Sequence, residues 1–182
     1  MGLNQINKKD YFTDQYNQNF DYVYAYIFAR TAGNSQLTED IVQETFAAAW
    51  SSLNSFNETC SPSTWFCSIA KNKLRQYYRS TICREKFEYP DSDALYDYAC
   101  DFDLENLVLN EELRLRVIKV LNGIAPLYRY ALIMKYMDCL SVKEIARVLA
   151  RSPKAVDGVL QRAKAAFEQV YIQQEGRDGN HG

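Results

Sequence analysis

The chain has 182 residues, with 21 Lys/Arg against 23 Asp/Glu, 47% apolar and 14% aromatic residues. Such a composition excludes a wholly disordered chain, and only seven Gly and four Pro argue against a turn-rich β fold. Cys60, Cys67, Cys83, Cys100 and Cys139 form no CxxC pair and the sole histidine, His181, sits in a Gly-rich tail, so neither a metal site nor His-centred catalysis is expected.

The length fits one or two domains. No GxxxxGK[ST] or GxGxxG loop offers a phosphate cradle, so no cofactor, no small-molecule substrate and no enzymatic activity is expected. No apolar run approaches the ~18 residues of a membrane span, and no charged-then-apolar leader opens the sequence. A cytoplasmic protein without stable membrane insertion is the expectation. Charge is unevenly spread. Residues 1–87 hold nine Lys/Arg and eight Asp/Glu, residues 88–112 hold nine acids and no base, and residues 113–182 hold twelve bases and six acids. A near-neutral first domain and a basic second one therefore flank an acidic segment.

In chain order, residues 9–31 place Phe12, Tyr16, Phe20, Val23 and Ile27 at helical spacing, and Gly33-Asn34 ends that helix, with Ser35 as the cap of the next. On the second helix Val42, Thr45, Phe46, Ala49 and Leu53 share one side. Asp40, Gln43, Glu44 and Ala47 form a narrow stripe on the other. That stripe is either a solvated face or a docking stripe for another protein, with carboxylates and an amide placed to receive Arg and Lys. Residues 54–61 read as a loop. Ser61-Pro62 then starts a helix expected to run to Arg79, with Phe66, Ile69, Ala70, Leu74 and Tyr77 inward. Lys71, Arg75, Tyr78 and Arg79 face outward, with Asn72 at the border. Cations neutralise phosphates and an aromatic ring stacks on an unpaired base, so this face suits nucleic acid or simply solvent.

Residues 88–104, with Pro90 and no steady apolar period, read as an acidic linker. A helix with Leu107, Val108, Leu113, Val117, Val120 and Leu121 follows and stops at Gly123, and Pro126 opens another. Ser141 with Glu144 makes a capping box, and Ser152-Pro153 makes a second cap-plus-Pro start. Two helices joined by a turn of about three residues make a helix-turn-helix. Ile145, Ala146, Leu149, Val156 and Leu160 supply its inner contacts, while Lys154, Gln161, Arg162 and Lys164 lie on or near the second helix. The expected fold is all-α: two small helical domains, residues 1–87 and 105–173, joined by the linker, with a flexible tail at 174–182.

"EDIVQETFAAAW" followed by "STWFCSIAKNKLRQYYR" resembles the second region of bacterial RNA polymerase sigma factors, and residues 121–167 resemble their fourth region. With only these two domains, the chain is similar to the extracytoplasmic-function group. The resemblance implies that Asp40, Gln43, Glu44 and Ala47 dock on the clamp helices of core RNA polymerase. It implies that Trp65, Lys71, Asn72, Arg75, Tyr78 and Arg79 engage the promoter's minus-ten element as it melts. It also makes residues 54–61, with Asn57, the loop that captures a flipped base. Ser152, Lys154, Ala155, Gln161 and Arg162 would meet the minus-thirty-five element. The implied partners are core polymerase and promoter DNA; inhibitory anti-sigma proteins are common in the group, and no pattern in the sequence identifies one. The chain departs from the family at Ala150, where the helix-helix turn usually has Gly, and at Ala155, Asp157 and Val159, which stand where Thr, Lys and Arg are frequent. Two alternatives remain at this level: a helix-turn-helix regulator acting without polymerase, and a sigma-like relative that only binds protein.

Overall fold

The computed structural model describes residues 5–84 and 111–178. The linker expected at 88–104, Leu107 and Val108 lie outside the described residues. Every regular element among the described residues is helical: α1 (Gln5–Arg30), α2 (Ser35–Ser52), α3 (Pro62–Arg84), α4 (Glu111–Asn122), α5 (Pro126–Leu132), α6 (Val142–Leu149) and α7 (Pro153–Asp178). A 3-10 turn, Leu53–Ser55, extends α2, and a π-helical stretch, Ile133–Met137, continues α5. The chain forms two compact units, Met1–Arg75 and Gln76–Gly182.

The first unit is built on aromatic rings. The α1 stripe brings Tyr16 to 4.6 Å and Phe20 to 6.2 Å from Phe46 of α2, while Phe66 of α3 lies 5.0 Å from Phe46 and 6.2 Å from Phe12. Edge and offset geometries of this kind add to the gain from burying ring area. The chain reverses after α1 through two left-handed residues, Ala32 and Gly33. Asn34, rather than Ser35, caps α2: its side-chain oxygen accepts from the Leu37 amide at 3.0 Å, and Ser35 is the first helical residue. Thr31 and Thr38 share a buried hydroxyl hydrogen bond of 2.7 Å beside that turn. Arg30 is buried with its guanidinium 3.6 Å from the Tyr26 ring centroid. At the start of α3, the Ser61 hydroxyl accepts from the Thr64 amide at 3.2 Å, ahead of Pro62.

In the second unit α7 packs against α4, α5 and α6. Gly123 ends α4, its N–H donating to Val120 O at 2.9 Å, and a Cβ there would sit 2.8 Å from Val170 Cγ1, so the close pass of α7 requires glycine. Arg129 closes the same helix end, donating from Nε to Leu121 O at 2.8 Å and from Nη2 to Asn122 O at 3.3 Å. A cation on terminal carbonyls is favoured electrostatically as well as by the bonds. Leu113, expected inward, is 44% exposed, and burial on α4 concentrates at its far end in Val120 and Leu121. The capping box of α6 forms in full: the Ser141 hydroxyl accepts from the Glu144 amide, and Glu144 accepts from Ser141 N–H at 2.8 Å. Ala150 sits at φ 51°, ψ 46°, the left-handed conformation for which Gly is the usual choice.

Candidate nucleic-acid interface

The α2 stripe forms as the periodicity implies. Asp40, Gln43, Glu44 and Ala47 are all exposed, because Ile41, Val42, Thr45, Phe46 and Ala49 turn the other side of the helix inward. Glu44 is engaged with the next helix: its carboxylate lies 3.2 Å from Lys73 Nζ of α3, with both side chains still partly in water. Single-helix phase cannot reveal this pair, because its members lie on different helices.

On α3, Asn72 and Arg79 are exposed, and Lys71 and Arg75 are half-buried; the Arg75 Nε is covered and makes no hydrogen bond. Tyr78 departs from expectation. It is fully buried, stacked on Tyr130 of α5 with centroids 4.5 Å apart, while Tyr77 is the half-buried one. The buried positions on α3 are Phe66, Ala70, Leu74, Tyr78 and Ile82. Steps of four residues advance the inward direction by about 40° each, so a face fixed on the first turns misplaces the later ones. The helix also continues past Arg79 to Arg84. Burial, followed by the hydrogen bond with Tyr77, holds the Tyr130 phenol far above its usual range.

The loop before α3 is anchored by a residue the sequence did not single out. Phe56 stacks on Trp65 at 4.7 Å and 28°, and Trp65 meets Phe66 of the core at 5.3 Å. An aromatic inside an otherwise polar loop was the available signal. Asn57 is exposed; its side-chain oxygen accepts from the Thr59 hydroxyl at 2.8 Å, and Glu58 adopts φ 56°. Tyr11 of α1 lies close enough to feel that loop: burial, then the Glu58 charge, raise its phenol. Burial pushes the Cys67 thiol up to about 11, against a smaller opposing pull from Arg30, which leaves it protonated and unreactive near neutrality.

In the second unit the Ser152 hydroxyl accepts from the Ala155 amide at 3.1 Å, so this residue is the N-cap of α7. Val156, Val159 and Ala163 have no exposed surface and Leu160 is buried beside them. Val159 therefore belongs to the core, not to the outer face. Lys154 is exposed, and Ala155, Asp157, Gln161, Arg162 and Lys164 are half-buried around the outer side. Lys164 Nζ lies 5.6 Å from the Tyr136 ring centroid.

The family model "Sigma-70 region 2" matches residues 15–81, and "Sigma-70, region 4" matches residues 114–167. The ECF RNA polymerase sigma-E factor of Salmonella typhimurium is 30% identical over 139 residues, covering 71% of each chain. The chain belongs to the extracytoplasmic-function group of RNA polymerase sigma factors. The RNA polymerase sigma factor YlaC of Bacillus subtilis is 29% identical over 163 residues, 87% of this sigma factor and 91% of YlaC. A solved structure of the sigma factor RpoE of Bartonella quintana, in complex with the anti-sigma factor NepR, aligns over 87% of this chain and 95% of that one, with 18% identity and a TM-score of 0.45.

Sigma factors recognise promoters and start transcription, and this is the function of the chain. The region-two match spans the α2 stripe, the loop and most of α3, and the region-four match spans α6 and the first turns of α7. Among the described residues no group of His, Cys, Asp or Glu is arranged to hold a metal ion, and no helix is long and apolar enough to cross a membrane.

Proposed function

We propose that this sigma factor docks on core RNA polymerase through Asp40, Gln43, Glu44 and Ala47. Lys71, Asn72, Arg75 and Arg79, with the loop around Asn57 and Trp65, hold the minus-ten element as it melts. The α6–α7 pair meets the minus-thirty-five element with Lys154, Ala155, Gln161 and Arg162, and Ser152 sets the start of the reading helix. Tyr78 leaves the DNA-facing set in this reading, because its ring is fully packed. No covalent step is involved. Melting follows from binding separated strands better than paired ones, which is differential affinity for one state of the DNA. The protein acts in the cytoplasm without a cofactor, and an inhibitory anti-sigma protein is a further partner.

The observation that carries the docking assignment is the exposure of the acidic α2 stripe above a packed inner face. A regulator working without polymerase gains nothing from that stripe. The test is run-off transcription with purified core polymerase, alongside a direct binding measurement. Charge reversal in a doubly substituted Asp40→Arg, Glu44→Arg protein is expected to abolish association with core while leaving duplex binding by the second unit intact. A wild-type protein that neither binds core nor supports initiation on any genomic fragment would sink the proposal.

A further inference from the structure

We infer that Asp157, on the outer side of α7, selects a cytosine in the minus-thirty-five element by accepting a hydrogen bond from its N4 amine in the major groove. The inference rests on the reading of α6–α7 as the minus-thirty-five reader.

At about 100° per residue, the fully buried Val156, Val159 and Ala163 set the inward direction of α7. Asp157 lies on the opposite half, between Lys154 one turn before it and Gln161 one turn after. It belongs to the first turns of the second helix, the part of a helix-turn-helix that reaches base edges. Its backbone is fixed by the Ser152 cap and the core residues beside it, so the carboxylate projects from a rigid support.

Two ordinary roles for such an acid are missing. The macrodipole favours acids only within the first turn of a helix, and Asp157 lies beyond it. Nor does it make a hydrogen bond or ion pair among the described residues. A half-exposed carboxylate with its acceptor capacity uncommitted stands on the face turned towards a polyanion. Near phosphates alone, that charge weakens binding.

At a base edge the charge discriminates. Cytosine presents an N4 amine to a carboxylate, while guanine presents N7 and O6 and thymine presents O4, acceptors that repel it. Adenine places its N7 acceptor beside its amine and is matched by an amide, not by a carboxylate. Attraction to one base and repulsion from two others is specificity by both routes. Lys154, one turn earlier on the same side, supplies a phosphate contact that offsets the acid's repulsion and fixes the register.

The test is transcription by the reconstituted holoenzyme from a template library randomised over the minus-thirty-five element, read by sequencing the transcribed templates. The wild type is expected to favour cytosine at one position by about tenfold, the scale of one base-edge contact. Asp157→Asn is expected to move the preference at that position to adenine, and Asp157→Ala to level it, with the other positions unchanged. Variants that select the wild-type element, or a wild-type element without a cytosine preference, overturn the inference and leave the sigma reading standing. Variants that keep their helical signal and core binding but initiate nowhere also overturn it, since Asp157 would then serve binding in general. A wild type that initiates from no template overturns the sigma reading and this inference together.

Discussion

Helices α3 and α7 begin alike and then pack in different ways. Each starts on a serine cap followed by proline, Ser61-Pro62 and Ser152-Pro153. On α7 the buried Val156, Val159, Leu160 and Ala163 stay within a sector of about 100°, which is what a helix held in a constant groove produces. On α3 the buried positions advance from Phe66 to Ile82 by four residues at a time, turning through about 160° in all. The division between the compact units, after Arg75, falls within that turn. Phe66 packs with Phe12 and Phe46, whereas Tyr78 packs with Tyr130. A helix that changes partners changes its inward face, and a single projection cannot describe it.

The largest expected effect lies on α7. Val159→Arg restores a residue type frequent at that place in the family. If Val159 lined the outer face, the change would cost nothing and strengthen DNA binding. With the side chain fully buried, it instead places an unpaired guanidinium in the core, expected to cost about 4 kcal/mol or more and to unfold the second unit. Urea denaturation followed by circular dichroism measures this. A stable Val159→Arg protein would break the fixed-sector account of α7.

Tyr78→Ala comes next and tests α3. Removing a fully buried ring stacked on Tyr130 is expected to cost about 3–5 kcal/mol, while Tyr77→Ala costs about 1 kcal/mol. The opposite ranking in denaturant midpoints would restore the face that a simple projection assigns. A Tyr78→Ala protein of unchanged stability that fails only in promoter melting would do the same.

These two residues mark how far the sequence alone could be read. Caps, breakers and the inner face of α2 follow from local chemistry: a hydroxyl before proline, a capping box at Ser141 and Glu144, a glycine at the end of α4. The same holds for the exposed Asp40, Gln43 and Glu44, whose opposite face is mainly apolar, with Thr38 and Thr45 buried among Ile41, Val42, Phe46 and Ala49. What local pattern cannot hold is a contact between elements distant in sequence. Tyr78 against Tyr130, Glu44 against Lys73, and Phe56 against Trp65 each depend on a neighbour supplied by folding. Leu113 illustrates the converse: apolar and in phase, it remains 44% exposed among the described residues.

The smallest expected effect concerns the turn that sets α7 against α6. Ala150 holds φ 51°, a conformation in which its Cβ crowds the following carbonyl at a cost of about 1 kcal/mol. Ala150→Gly removes that crowding but increases the freedom of the unfolded chain, and the first term is the larger where φ is positive. A net gain of about 0.5 kcal/mol is expected, seen as a rise of roughly 2–4 °C in the melting temperature of a unit of this size. The approach to α3 also holds a left-handed residue, Glu58 at φ 56°, three positions before the Ser61 cap. A melting temperature unchanged or lowered by Ala150→Gly would mean that Ala150 is held by contacts worth more than its strain. The geometry of α7 would then be set by that turn as well as by its apolar sector.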